Sequence, residues 1–410
     1  MLIEIHMLQN HAPSNLNRDD TGSPKECIFA GVKRGRISSQ CLKRSIRRSP
    51  MFHEELGKDL HLGSRTRRLP QLVQDRLISM GIDADVAAIA ARKASGFGTK
   101  EGKEREADGN TAQTMFLSDS DVDAVVKVMH TAAVKAGTAK ALEKVEAKTL
   151  QEASELRGWR PLTIDLALFG RMITSPAFQD VQASLQVAHA ISVNKIDHEF
   201  DYFTAVDDLQ AGSEEDEKGA DMIGDVEFNS ACYYKYFSID LQGLVNNLAG
   251  LALDAKKATE PQRQAYQKTR KEAADLALSG IAAFLKAAIF TTPTGKQNTF
   301  AAHQLPDAVL IEVRPQRTPI SYANAFVTPA RASGERDLVD DSMSKLINHV
   351  DQITRKFSLH TADRLWFTTR DAFKPAGTPG TPVTVCDTVD DLLTGLKASI
   401  QRTTDGGTHG

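Results

Sequence analysis

The chain has 410 residues, 41% of them apolar, with 50 lysines and arginines against 53 aspartates and glutamates and a formal net charge of -3. That length suits two or three domains, or one domain with large insertions, and the apolar share is enough for a real core. A near-neutral balance excludes a generally basic nucleic-acid binder, so any such site must be a local concentration of cations.

In chain order, 2–8 alternates Ile3, Ile5 and Met7 with Glu4 and His6, which predicts a starting strand. A polar loop over 11–25 and a short apolar piece at 27–30 lead into the basic run 32–48, VKRGRISSQCLKRSIRR. Lys33, Arg34 and Arg36 fall in its loop part. Ser38 and Ser39 are good N-cap residues, since a hydroxyl accepts the unpaired amides of a first helical turn. On the helix that follows, Gln40, Lys43, Arg44 and Arg47 share one face, while Leu42 and Ile46 turn towards a core. No Asp or Glu lies within the run, so nothing local neutralises it. A solvated basic face is the bland reading; a polyanion, nucleic acid above all, is the functional one.

Helices dominate 60–159, with apolar positions Leu72, Leu77, Ile78 and Met80, then Val86, Ile89 and Ala90, then 122–134. A further helix is expected over 138–156, carrying Lys140, Lys144 and Lys148 on a solvated face, and the glycine-rich charged stretch 96–105 is expected to be mobile. The pattern then predicts a strand at 162–169 and a helix at 177–193, apolar on Val181, Leu185, Ala188 and Ile191. Residues 195–224 form an excursion with an acidic tip, AGSEEDEKGA, beside Met222 and Ile223. A tyrosine-rich strand at 226–239, helices at 241–251 and 262–289, a polar loop at 291–302 and a last clear strand at 308–314 follow, with helices at 336–357 and 389–400 closing the chain. This order predicts an α+β fold: an antiparallel ferredoxin-like or RNA-recognition-like core with helices on one face. An open sheet face beside a basic helix suits single-stranded RNA.

Cys27, Cys41, Cys232 and Cys386 lack metal-type spacing and read as reduced thiols. No apolar run approaches membrane-spanning length, and Glu4 and His6 interrupt any leader, so a cytoplasmic protein without a membrane partner is expected. No cofactor or metal pattern is legible: the region at Gly96 lacks a phosphate loop, and neither a GxSxG nor a patterned Cys/His pair occurs.

Six short motifs in series carry a family resemblance: LNRDD at 16–20, RGRISSQCLKR at 34–44, GRM at 170–172, YFTAVDDLQ at 202–210, KQNTFAA at 296–302 and ANAF at 323–326. In that order they resemble the CasC family, the backbone subunit of the type I-E CRISPR Cascade complex. The resemblance implies an RNA-recognition-like palm (1–59, 161–194, 226–320), a helical fingers insertion (60–160), a thumb (195–225) and a C-terminal helical segment completing the palm (321–410). It implies a non-enzymatic subunit that polymerises along a CRISPR RNA and presents the guide to a target DNA strand. Its partners would be other copies of itself, the subunits binding the guide's 5'-handle and 3'-hairpin, and the large and small subunits. Carried onto this sequence, Arg18, Lys25, Ser38, Gln40, Lys43, Arg44 and Arg47 would contact RNA phosphate and sugar. Lys33, Arg34 and Arg36 of the basic loop and Lys296 and Gln297 of the KQNTFAA motif would join them. Arg171 and Met172 would lie beside the guide, Met172 buttressing a displaced base. Phe203, Val206, Met222 and Ile223 would belong to the thumb, with Ile223, or else Met222, at its tip. A filament that accepts any spacer must hold backbone rather than bases, which suits cations, hydroxyls and amides. The competing expectation is a metal-dependent ribonuclease cleaving target RNA, with Asp19–Asp20 and Asp207–Asp208 as carboxylate pairs. Adjacent aspartates point apart and need a third ligand to hold a divalent ion.

Overall fold

The first strand, β1 (Leu2–Ser14), lies inside the sheet, and every side chain from Leu2 to Leu8 is buried, Glu4 and His6 included. The computed structural model describes residues 1–56, 62–105, 109–157, 160–205, 222–250, 260–375, 377 and 383–405. The other strands are β2 (Glu26–Phe29), β3 (Val32–Ile37), β4 (Ser64–Thr66), β5 (Met115–Leu117), β6 (Leu185–Val187), β7 (Ala190–Ser192), β8 (Glu199–Ala205), β9 (Met222–Asp240), β10 (Ala308–Arg314), β11 (Asp363–Thr368) and β12 (Val383–Cys386). The main sheet runs β12-β11-β10-β1-β9-β7-β3-β2, with β8 paired to the outer part of β9. Its β11–β12 pair is parallel; β1–β10, β10–β11, β7–β9, β3–β7 and β2–β3 are antiparallel.

Two compact units share the chain. The first comprises Met1–Glu55, Gln186–Ser238 and Ala282–Gly410; the second comprises Leu56–Leu185 and Ile239–Ile281. In the first, the helix Leu338–Lys356 sets Val339, Met343, Leu346 and Val350 against Leu8, Tyr234, Leu310 and Trp366 on one sheet face. Successive strand residues face opposite ways. On the other face Phe237 meets Phe284 edge-on at 5.3 Å, and Leu365 lies against Gly395 of the helix Val389–Asp405. Over β1, β10 and the inner part of β9 both faces are therefore covered, which corrects the expectation of helices on one side, while β2 and β8 stay largely exposed. The physical reason lies in the last ninety residues, read from sequence as helical: they add β11 and β12 as well as two covering helices.

Burying Glu4 and His6 requires partners. Glu312 of β10 accepts from Arg364 Nε at 2.7 Å, from Arg314 Nη2 at 2.5 Å and from the Tyr322 hydroxyl at 2.8 Å. Glu4 takes the Tyr236 hydroxyl at 2.5 Å and pairs with Arg314. Burial alone would raise the Glu312 carboxyl, but Arg314 and Arg364 outweigh it and hold the group below the usual carboxylate range. His6, fully buried on the Tyr234 hydroxyl at 2.8 Å, is driven down to about 3 by burial and stays neutral.

The second unit is mainly helical. Leu69–Ser79, Ala84–Ser95 and Asp119–Ala136 bury Val73, Leu77, Ala90, Val125 and Met129 in one cluster, beside the small antiparallel ladder β4–β5. Four sequence expectations fail here or at its border. Residues 162–169 form a helix, Ile164–Phe169, because the hexamer is buried on every side and its alternation records no exposed face. Residues 177–193 form no helix: Val181 makes a two-way backbone bridge to Arg171, and Ile191 and Ser192 pair with Tyr234 and Tyr233 of β9, partners that short-range periodicity does not see. The stretch 138–156 breaks into Ala139–Glu143 and Ala147–Gln151, Glu146 being extended. The glycine-rich loop is packed rather than free, since a Cβ on Gly96 would meet Gly102 O at 2.5 Å and one on Gly102 would meet Lys148 N at 2.7 Å. One helix, Arg263–Phe290, is long and apolar enough by length and composition to cross a membrane, against expectation, yet 61% of its apolar window is buried, as in a core helix.

Candidate nucleic-acid interface

The basic helix forms as its sequence dictates. It spans Ser39–Arg47, the Ser38 hydroxyl accepts the Cys41 amide at 3.2 Å, and Leu42 and Ile46 are buried. Gln40 and Arg44 are exposed, and Lys43 and Arg47 half-exposed. Leu42 sinks into a cluster with Leu16, Ile37, Ala190, Ile196 and Tyr233, which seats the cationic face on sheet and loop together.

The LNRDD motif divides its work residue by residue. Leu16 enters that same cluster, and Asn17 Oδ1 accepts the Ser38 amide at 2.8 Å, tying the loop to the helix start. Arg18 is exposed. Asp19 Oδ1 accepts from the Thr21 amide at 3.0 Å, the Thr21 hydroxyl at 2.8 Å and the Ser23 amide at 2.9 Å, so it shapes its own turn. Those bonds, the Thr21 hydroxyl first, hold its carboxyl below the ordinary range. Asn15 fastens the other end, donating to Gly22 O and to Glu227 O of β9 at 2.9 Å each.

Gly295 lets the polar loop lie backbone-on-backbone against this motif, because a Cβ there would meet Leu16 O at 2.4 Å and Asn15 O at 2.6 Å. Between loop and helix opens a cleft of about 1000 Å³, lined by Arg18, Arg44, Arg48, Cys41, Thr292 and Phe290 among others. A smaller cleft of about 350 Å³ joins Arg18 to Lys296 and to Phe200 of the β8–β9 arm. Phe200 and Tyr202 are 63% and 64% exposed on β8, and the Phe203 ring sits over Gly224, its ladder partner. His189 reports the local field: burial first, then Arg36, Lys25 and Lys43, lower its pKa and keep it neutral.

Several expected contacts are spent elsewhere. Arg34 is fully buried and donates to Ser192 O at 3.1 Å, Val193 O at 2.6 Å and Phe326 O at 2.7 Å, so its guanidinium braces β3 against β7 and the ANAF turn and is closed to a phosphate. Lys33 pairs with Glu26 at 3.0 Å, an acid outside the basic run that neutralises part of it. Arg36 donates to Glu26 O at 3.2 Å, and Ser38 is buried as the helix cap. Lys25 is half-buried. The Gln297 amide braces its own loop at Pro293 O (3.0 Å) and Ala302 O (3.3 Å). Arg171, in the second unit, is turned inward on Asp121, with Nη1–Oδ2 at 2.6 Å, whereas Met172 beside it is 93% exposed. Val206, Asp207–Asp208 and the acidic run lie outside the described residues, and of Met222 and Ile223 only the backbone, in β9, is described. Sequence reasoning passed over Phe200, Tyr202 and Arg48; the alternation Phe200-Asp201-Tyr202 was the available signal for the first two.

The exposed Arg18, Gln40, Arg44 and Arg48 and the half-exposed Lys43 and Lys296, with threonines and an aromatic ring nearby, can hold phosphates and stack a base, and no pair among them fixes a base sequence. No curated protein matches the sequence. A solved structure described as a "CRISPR RNA-guided surveillance complex, pre-nicking" is 28% identical, with a TM-score of 0.75 over 97% of this chain and 100% of that one. A second, described as a "CRISPR RNA-guided surveillance complex", is 22% identical with a TM-score of 0.57 over 98% and 100%, and shares the fold. The α+β, ferredoxin-like class expected from sequence stands. A family model for CT1975-like proteins matches residues 3–393, and the chain belongs to that family.

Proposed function

We propose that this protein is the guide-RNA-binding backbone subunit of a type I-E Cascade complex, polymerising along a CRISPR RNA and presenting it to a target DNA strand. One observation carries the reading: an acid-free helix displays Gln40, Lys43 and Arg44 at solvent beside a cationic cleft, in a chain similar over 97% of its length to a protein described as part of a CRISPR RNA-guided surveillance complex. In this reading Arg18, Lys25, Gln40, Lys43, Arg44, Arg47 and Lys296 take the guide backbone, and Met172 stands beside guide bases. The β8–β9 arm and the acidic segment between its two strands in the sequence act as the thumb, reaching a neighbouring copy, and most of 60–160 acts as the fingers. The subunit works in the cytoplasm with other Cascade subunits and carries no catalytic step of its own.

The chemistry supports sequence-blind binding: cations and amides grip phosphates equally well on any spacer. The test is the affinity of the purified protein for single-stranded RNAs of equal length and unrelated sequence. Equal affinities with a strong salt dependence are expected; a marked preference for one sequence, or no binding at low salt, would overturn the reading.

A further inference from the structure

Three consecutive residues of the second unit, Gly170, Arg171 and Met172, behave as one display device. Gly170 has φ +73°, and a Cβ there would lie 2.7 Å from Ala183 N and 2.8 Å from Val181 O, so the position demands glycine. Arg171 exchanges both backbone hydrogen bonds with Val181 at 2.8 Å, and the Ile173 amide donates to Asp180 Oδ1 at 2.7 Å. Met172 is thus pinned on either side, yet its side chain is 93% exposed. Neighbouring side chains in extended backbone point to opposite faces, so whatever fixes Arg171 inward fixes Met172 outward.

What fixes Arg171 is a buried carboxylate. Asp121, 1% exposed, accepts Arg171 Nη1 at 2.6 Å and Arg160 Nε at 2.9 Å while capping the helix Asp119–Ala136 through the Ser118 amide at 3.0 Å. Arg171 also donates to Phe116 O and Gln179 O at 3.0 Å. Arg160 donates to Leu156 O at 2.8 Å and Ala177 O at 2.9 Å, and both guanidiniums lie 5.8 Å from the Phe178 ring. Burial would raise the Asp121 carboxyl, but the Arg171 charge and its hydrogen bonds outweigh that and keep it ionised. Stability alone does not call for such a triad, since apolar replacements of buried ion pairs are often neutral or stabilising. A fixed direction does call for it, because fork-shaped donors lock orientation as well as distance.

We propose that Asp121, backed by Arg160, is a positioning residue that sets the direction in which Met172 is displayed, acting through Arg171. This rests on the reading of Met172 as a neighbour of guide bases, and the experiment separates the two. Complexes are assembled on guides carrying 2-aminopurine at successive positions, whose fluorescence rises where a base leaves the stack. Wild type should show periodic bright positions. Met172→Ala should dim them, Asp121→Asn should dim the same positions, and the double variant should dim them no further than Met172→Ala alone. Folding is checked by Tm; should Asp121→Asn fail to fold, Arg160→Gln serves in its place with the same expectation. Arg171→Lys, which keeps the charge and loses the fork, should dim them as well. If Met172→Ala leaves the bright positions unchanged, the placement of Met172 is wrong and the positioning role falls with it. If Met172→Ala dims them while folded Asp121→Asn or Arg160→Gln does not, or if the double variant shows the sum of two effects, only the positioning role is overturned.

Discussion

Replacing Lys43 and Arg44 by alanine removes two charges from the solvent side of the helix Ser39–Arg47 without touching Leu42 or Ile46, which hold it to the core. Alanine also has the higher helix propensity, so the fold should be kept and Tm should move little. Each phosphate contact on single-stranded nucleic acid contributes about 0.7 to the slope of log affinity against log salt, so the double variant should lose about 1.4 of slope. Between about 50 and 200 mM salt, wild type should therefore lose affinity about seven-fold more steeply than the variant. The assay is RNA binding by anisotropy at four or five salt concentrations, with a circular dichroism melt beside it. A variant that binds more weakly at an unchanged slope would refute the assignment, because its loss would then come from structure rather than from missing phosphate contacts.

Arg34→Ala should do the opposite. It takes the guanidinium away from the carbonyls of Ser192 and Phe326, while Val193 O keeps the Ala330 amide at 2.8 Å; at about 1–3 kcal/mol for each buried group left unpaired, a melt should show destabilisation while the salt slope of any protein still folded stays at the wild-type value. Gly295→Ala forces a methyl against Leu16 O and Asn15 O and should cost about 1–3 kcal/mol in a denaturant titration, weakening RNA binding with it; an unchanged midpoint would mean the loop shifts freely. His6 and His11 are both lowered to about 3 by burial, so the unfolded chain takes up protons below pH 6.5 that the folded one refuses, and stability must fall as pH drops from about 6.5 towards 3. At pH 5 each should cost about 2 kcal/mol, read as a lower denaturation midpoint than at pH 7; a His6→Gln/His11→Gln variant with the same pH dependence as wild type would refute this. Incubation of the assembled complex with complementary RNA and Mg2+ should give no regular cleavage ladder, and a ladder lost on Asp19→Ala would instead establish a ribonuclease.

The parts legible in the sequence are those whose signal is local. The basic helix carried its cap, its buried stripe and its charged face within ten residues, and the structure keeps all three. The helices at Leu338–Lys356 and Glu260–Phe290 and the strand Ala308–Arg314 were legible for the same reason. What failed depended on distant partners. Residues 177–193 had helical spacing, but Val181 and Ile191 are claimed by backbone at Arg171 and Tyr234. Arg34 looked like its neighbours in the run until Phe326, almost three hundred residues away, took its guanidinium. Asp363–Thr368 was hidden because its charged Arg364 argues for a surface, while in the fold it is neutralised by Glu312. A charge read from sequence gives a sign; only the fold says whether that charge faces water or a carbonyl.

The central claim, that the Lys43–Arg44 face and the cleft beside it hold a guide RNA of any sequence, is tested most directly by what the protein carries when it is made alongside a CRISPR array. The assembly is purified, treated with nuclease, and its nucleic acid extracted and sequenced. Full-length guides from every spacer of the array, protected in proportion to their transcription and lost in the Lys43→Ala/Arg44→Ala variant at moderate salt, are the expected result. Protein that emerges free of RNA, or that protects one spacer and ignores the rest, would contradict it.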